Sequence, residues 1–521
     1  MDALTSLAAT LVPREKSADG DYFPWTAAGH FSLDAPRPPQ TVDRTMFSLF
    51  PRRNWGLKLS GRENQDIRYL THCCRRTIVA IGECPQPLLE DILQLASENA
   101  TILSALLALS ARQRLSDEDH AHPKHPARGL APHAQHSLSC WEALDWYQAT
   151  ITKVRATLSR LQTLGSHVSC GDAVEVLCSC ELLALFGFPE KVHNWSVHVR
   201  GMIAFIESLD LELFRTVPLV RNARTIAAYW DISAFALNRP EMSQHTWLRW
   251  GICPLPRGQG DGFAGDAPAA FSPFEITTGY PETLITVIAL VSAAMEEFHG
   301  AGTVVDEWIA CCIQDLLRHT GRGDETLSAD DHDSVSLQDC PVSYWTSRMH
   351  VIIAEWEPPA IPPHISTTLS LALTNAWEII RKAAHIYLTR GGFATSVYTP
   401  RSIQRERINR RFVREMIFGL QSLISLAEEQ EITIANAMIW PMTVIGNEIC
   451  DDRSLQRELV ALFHRLQKYF RIAHFNQVLE LLVELWQRFA DSTSLVDSME
   501  PPAALSLQIL AAEKDLSVPL F

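Results

Sequence analysis

The stretch Trp141-Glu-Ala-Leu-Asp-Trp-Tyr-Gln-Ala-Thr-Ile-Thr-Lys-Val-Arg-Ala-Thr-Leu-Ser-Arg-Leu161 decides the fold class. Its apolar residues Trp141, Leu144, Tyr147, Ile151, Val154, Leu158 and Leu161 recur at steps of three and four. That period draws one stripe down a helix of about six turns. The next apolar stretch, Ala173 to Phe188, is hydrophobic on nearly every side, which puts its helix deep in a core. Gly187 and Pro189 stop it.

The same period extends outward from there. Upstream, Leu88, Ile92 and Leu95 lead into Ile102-Leu103, Leu106-Leu107 and Leu109-Ser110. Downstream, Trp195, Val199, Met202, Ile206 and Leu209 mark an amphipathic helix. Further helices are expected at 219–237, 283–298, 304–319, 364–389, 403–428, 455–469 and 475–489. Alternation of period two is absent. The β-branched run Leu284 to Val291 continues into Ala293-Ala294-Met295, which favours a buried helix over a strand. The expected class is all-α, a large helical bundle or irregular helical stack with long loop insertions. Those insertions fall near 116–136 (His-, Pro- and Ala-rich), 254–273 (Pro- and Gly-rich) and 321–338 (acidic and Ser-rich). Residues 1–60 read as a largely disordered N-terminal segment, 61–495 as the helical domain and 496–521 as a C-terminal tail. Within the first segment, Ser17 to Trp25 mixes Asp19 and Asp21 with Tyr22, Phe23 and Trp25. Such acidic-aromatic mixtures can act as activation segments, although a plain disordered tail has the same composition.

Hydrophobic residues at 47% and charged residues at 20% give the balance of a globular chain, not a disordered one. The net charge of −15 argues against a chain that is mostly a nucleic-acid surface, because phosphate binding rewards clustered Lys and Arg. The most apolar run, Leu284 to Met295, is too short to span a bilayer, and the first residues lack the basic start of a signal peptide. A cytosolic or nuclear protein without membrane contact is expected. The 12 cysteines suit that compartment, several of them lying inside apolar stretches as small hydrophobes.

Motifs for chemistry are sparse. Gly260-Asp-Gly-Phe-Ala-Gly265 satisfies a dinucleotide-binding pattern, but Pro254, Pro256 and Pro268 flank it where a strand and a helix would be required. It reads as a loop. The histidines His120, His122, His125, His133 and His136 are dense, yet no disciplined ligand spacing or nearby cysteine pair supports a zinc site. Cys-x-x-Cys, His-Glu-x-x-His and Gly-x-Ser-x-Gly are all missing from the sequence. No catalytic, cofactor-binding or metal-ligating residue is nominated, no cofactor is expected in this chain, and the protein is read as a non-enzyme. The candidate surface is a basic run, Arg401, Arg405, Arg407, Arg410, Arg411 and Arg414, interleaved with Ile403, Ile408, Phe412 and Val413. On a helix, Arg407, Arg410, Arg411 and Arg414 share one face, with Ile408 and Phe412 on another. Such a face suits a nucleic acid or a partner, or is simply solvated, with Glu406 and Glu415 diluting its field.

Four segments, taken in order, resemble the fungal-specific transcription factor family. Ala100-Thr-Ile-Leu-Ser-Ala-Leu-Leu-Ala-Leu-Ser-Ala111 is similar to its early apolar helix, and Ala143-Leu-Asp-Trp-Tyr-Gln-Ala-Thr-Ile151 to a second. Leu182 to Phe188, followed by Trp195-Ser-Val-His-Val-Arg-Gly-Met-Ile-Ala-Phe205, resembles its core helix and the helix after it. Trp440-Pro-Met-Thr-Val-Ile-Gly-Asn-Glu448 looks like a late segment, before a final amphipathic helix at Phe475-Asn476 and Leu485-Trp486. The resemblance implies a helical regulatory domain, a nuclear location and transcription machinery or a DNA-binding protein as partner. Pathway-specific regulation in a fungus is the implied role, with a homodimer among the assemblies to be considered. The matched residues themselves speak of packing: His198, between Trp195 and Gly201, is expected to be a hydrogen-bonded core residue. The family's six-cysteine zinc cluster has no counterpart, since Cys73, Cys74 and Cys84 are too few and wrongly spaced. Direct DNA contact therefore stays open: a cluster was lost upstream, or the chain acts through partners. A helical scaffold for assembly is the alternative of a different class, and an undetected enzyme a third.

Overall fold

The helices follow the apolar period and its stops. In the computed structural model the described residues are 59–77, 80–81, 87–121, 131–164, 168–188, 194–239, 241–252, 271–299, 313, 342–399, 403–470, 474–494 and 504–521. The N-terminal half comprises α1 (Gly61–Thr77), α2 (Pro87–Glu98), α3 (Ala100–Ala121), α4 (Ala131–Leu164), α5 (Cys170–Gly187), α6 (Asn194–Glu207), α7 (Leu211–Thr216) and α8 (Pro218–Trp230). The chain continues through β1 (Ala236–Leu237), α9 (Thr246–Arg249), α10 (Pro273–Thr278), α11 (Glu282–His299) and α12 (Val342–Glu355). The last part holds α13 (Thr367–Arg390), α14 (Ile403–Gln430), α15 (Ile439–Glu448), α16 (Arg453–Phe470), α17 (His474–Ser494), α18 (Leu507–Glu513) and β2 (Val518–Pro519). The fold is all-α, with one two-stranded ribbon among the described residues.

α5 is the helix whose burial the sequence predicts. Ser169 caps it, accepting the Asp172 N–H at 3.1 Å, and residues from Ala173 to Gly187 are buried on almost every side. α3 and α4 pack along one another, and α5 lies against both. Asn99 divides α2 from α3: its Oδ1 accepts the N–H groups of Thr101 and Ile102 at 2.8 and 3.1 Å. Its amide then donates to Glu175 of α5 at 2.6 Å, so the cap also ties the helix start to the core helix. The α4 stripe differs from expectation at its start. Trp141 and Leu144 are exposed, whereas Ala143, Thr150 and Thr157 are buried. Thr150 bonds the Trp146 carbonyl and Thr157 the Glu175 carboxylate, so two threonines enter an apolar seam with their hydroxyls satisfied.

Other departures have local causes. The helix expected at 219–237 ends at Trp230, because the Asp231 carboxylate turns back to bind the following loop. The insertion near 116–136 shrinks from both sides: α3 runs to Ala121 and α4 starts at Ala131, with Pro132 tolerated in its first turn. α1 and α12 lie where no helix is expected from sequence. The run Leu284 to Met295 is the buried helix α11. Residues 1–58, the insertion at 321–338, the Gly260–Gly265 pattern, His122 and His125 lie outside the described residues, as do the side chains of His120, His133 and His136. Of the helix expected at 304–319 only Ile313 is described.

The expected C-terminal tail is corrected over residues 504–521, where the chain is packed into the core. Leu507, Leu510, Val518 and Leu520 have no exposed surface. Val518 and Pro519 pair antiparallel with Leu237 and Ala236, and the Leu520 N–H donates to the Phe235 carbonyl at 2.8 Å. Trp195 of α6 donates its indole N–H to the Ser517 carbonyl at 3.2 Å. On the other side, the Val397 N–H donates to the Leu505 carbonyl at 2.8 Å. The segment thereby joins the N-terminal helices to the α13–α14 connection. Its apolar spacing is too short and irregular for sequence reading to distinguish from a loose end.

Candidate functional site

α14 needs one apolar face to pack and leaves the other to solvent. Asn409, Val413, Met416, Ile417, Leu420, Leu423, Ile424 and Ala427 are buried. Opposite them Ile403, Arg407, Arg411, Arg414 and Phe418 follow one another at steps of four, four, three and four, all exposed. Ile403 is 78% and Phe418 74% exposed. Along the first half of this face runs an open groove of about 470 Å³ lined by Ile403, Glu406, Arg407, Arg410, Arg411, Arg414 and Glu415.

The arginines of the groove are not equivalent. Arg410 is held between Glu406, at 3.0 Å, and Asp451 at the start of α16. Arg411 pairs with Glu415 at 2.7 Å, and Glu415 also takes Lys382 of α13 at 2.8 Å. Lys382, and then Arg411, hold the Glu415 carboxyl below its ordinary range through these bonds. Arg407 and Arg414 have no counter-ion among the described residues. They stand about 10 Å apart along the helix, between the apolar ends Ile403 and Phe418. Exposed pairs contribute little to stability, so the two spare cations cost the fold little and offer charge to whatever docks.

Of the six arginines read from sequence, Arg407, Arg410, Arg411 and Arg414 share the groove. Arg405 lies on the same helix but turns its charge toward His350, and Arg401 lies outside the described residues. Phe412 is on a different face, half-buried edge-on against His385 with ring centroids 5.2 Å apart. Ile408 is partly exposed.

The interior holds polar clusters that sequence spacing does not reveal. His198 is buried, its Nε2 2.8 Å from the Tyr147 hydroxyl. Burial lowers its pKa to about 4, so it is a neutral core histidine. Asp231 accepts from Arg239 at 2.7 Å and from the backbone of Gln244 and Thr246, which fixes the loop after α8. Arg390 lies 3.8 Å from Glu448, and Asn409 donates to the same carboxylate at 3.2 Å, joining α13, α14 and α15. His350 and His385 face each other Nδ1 to Nδ1 at 3.1 Å, with burial and then each other's or a neighbouring arginine's charge lowering both pKa values. Apart from those of Asp231, which lie 8 to 15 positions on, these partners are 35 to 58 positions apart, so no local signal marks them. Two imidazoles beside Arg381 and Arg405 make a poor cation site. Among the described residues no three His, Cys, Asp or Glu side chains are grouped to hold a metal ion, and no helix is long and apolar enough to cross a membrane.

Comparison with known proteins adds the decisive fact. The family model described as the fungal specific transcription factor domain matches residues 68–500, from within α1 to beyond α17. No curated protein and no solved structure matches the chain.

Proposed function

The chain belongs to the fungal specific transcription factor domain family, and from that premise we propose that it controls a defined set of genes in a fungus through partners docked on its helical body. A regulator of transcription is what the family implies. The finer statements are our own: action in the nucleus, on one metabolic pathway, with DNA specificity carried by a partner. The match over residues 68–500 carries this reading, because it takes in nearly all the described helices rather than one motif. The α14 face supports the partner contact, since spare cations and exposed large apolar side chains lie together there.

The test is functional. Fused to a heterologous DNA-binding domain, the full chain is expected to change the output of a reporter carrying the matching sites. The variant Arg407→Glu/Arg414→Glu is expected to lose most of that change while accumulating normally. A silent fusion, with transcripts unaltered in a deletion strain, rejects the regulator. A fully active double variant rejects the α14 face as its contact.

A further inference from the structure

Ile403, Arg407, Arg414 and Phe418 stand on the exposed face of α14 at intervals of four, seven and four residues. A helical rise makes these about 6, 10.5 and 6 Å along the axis. Arg407 and Arg414 have no counter-ion among the described residues, whereas Arg411 between them is taken by Glu415, which also holds Lys382. The Phe418 end is broadened by α13. Leu371 of that helix is exposed, and Asn375, one turn on, donates its amide to the Gly419 carbonyl at 3.0 Å, which brings Leu371 to the Phe418 end of the face. The face therefore asks for apolar, anionic, anionic and apolar groups in turn, on a line about 22 Å long.

An occupant must repeat those intervals. A nucleic-acid backbone supplies anions but leaves both apolar ends uncovered. An extended peptide presents same-side groups about every 7 Å, so it misses the middle interval by about 3.5 Å. A second helix laid along α14 has the same rise and meets all four positions. It does so in either chain direction, because four, seven and four read the same both ways. This sequence does not itself carry the matching helix. Its acidic pairs seven residues apart begin at Glu83, Asp91, Glu275, Asp324, Asp451 and Glu484, and none has a large apolar residue four positions outside both members. Neither a segment of the same chain nor a second copy therefore fits the pattern, and a different protein must supply it.

We propose that the α14 face receives an amphipathic α-helix of another protein. Two acidic residues of that helix, seven positions apart, pair with Arg407 and Arg414. A large apolar residue four positions outside each covers Ile403 at one end and Phe418 with Leu371 at the other. The charges set the register and reject basic helices, while the apolar ends supply the buried area. The Arg411–Glu415 pair in the middle has no spare charge, so an acidic residue opposite it gains little. The inference rests on the α14 face being the partner surface and gives that partner its chemistry, and its test reads the contact itself, not transcription.

The probe is a fluorescein-labelled Ala/Gln helix of roughly 20 residues. It carries two glutamates seven positions apart and a leucine four positions outside each, and the purified full chain is titrated into it by fluorescence anisotropy. Binding is expected to be about tenfold tighter than for a peptide of the same composition with one glutamate moved by two positions. Arg407→Glu/Arg414→Glu should weaken it about tenfold and should bind the version with lysines in place of the glutamates, a swap that general loosening of the chain cannot produce. Ile403→Ser/Phe418→Ser should weaken it by a similar factor without removing its salt dependence. Unchanged thermal midpoints in both variants confirm that these exposed positions leave the fold intact. Equal affinity for the two peptides, or a charge swap that fails to restore binding, overturns the proposal. So does tighter binding of a DNA duplex that the arginine variant loses, which makes the occupant a nucleic acid. A wild-type dimer dissolved by the same variant overturns it too, and makes the occupant a second copy. Reporter output lost in the arginine variant without selective probe binding sinks the acidic helix and leaves the partner surface standing. Selective probe binding with reporter output intact in that variant supports the helix contact and removes the face from regulation.

Discussion

At the scale of single residues, two glycines show where helix packing leaves no room. Gly279 ends α10 at φ +73, and a Cβ there would lie 2.2 Å from Ile434 Cδ1 and 2.8 Å from Ala80 Cβ. Its carbonyl also accepts the Trp377 indole N–H at 2.8 Å. Gly446 in α15 is different. Its helical backbone would suit alanine, but Leu482 of α17 lies 2.5 Å from the would-be Cβ. Gly279→Ala should therefore suffer both backbone strain and overpacking, costing roughly 3–5 kcal/mol. Gly446→Ala suffers overpacking alone, about 1–3 kcal/mol. Urea unfolding of the two variants checks the order. Leu482→Ala should recover part of the loss at Gly446, as facing residues couple, and can recover nothing at Gly279.

At the scale of elements, the C-terminal segment matters more than its length suggests. Phe521 stacks on Trp230 with centroids 5.8 Å apart and meets Phe188, Trp195 and Tyr229 edge-on or tilted. Leu516, Val518 and Leu520 are buried beneath it. Removing 516–521 exposes this aromatic slot and forfeits three aliphatic side chains at roughly 2 kcal/mol each. That sum rivals the whole stability of an ordinary domain. The truncated chain is expected to lose the near-ultraviolet circular dichroism of its packed tryptophans and its cooperative urea transition, while α-helical signal persists. An unaltered urea midpoint would show the segment to be dispensable. α14 presents the complementary case. Its amphipathic period and its arginine run are visible in the sequence, but the pairing of Arg410 with Asp451, 41 positions on, decides which cations remain to be offered.

Across the whole molecule, buried titratable groups on distant helices combine into one pH response. His198 and His474 are held neutral by burial, each lowered from 6.5 to about 4. Their contribution is complete above pH 6.5 and is lost as pH falls from 6.5 to about 4, by up to about 3 kcal/mol apiece. Glu181 is opposite in sign. Burial raises its pKa from 4.5 to about 7, so its contribution is complete below pH 4.5 and is lost as pH rises through 7. The two trends oppose each other between pH 4.5 and 6.5. Glu181→Gln should steepen the acid-side loss, whereas His198→Gln with His474→Gln should leave stability falling toward neutral pH. Urea midpoints at pH 5 and pH 8 measure both slopes, and unchanged slopes would disprove the burial assigned to these groups.

The sequence by itself determined the helical class, the burial of Ala173 to Phe188, the packing role of His198 and the helix that carries the arginines. These follow from periods of three and four residues, which are properties of one segment and its immediate neighbours. Only the tertiary structure decided that Trp141 and Leu144 leave the α4 seam to threonines, or that the final residues close the core. It alone also left Arg407 and Arg414 without a counter-ion among the described residues. Such outcomes depend on which segments meet across separations as long as the 322 positions between Trp195 and Ser517. Burial and charge neutralisation belong to the contact and not to the segment, and no local period encodes them.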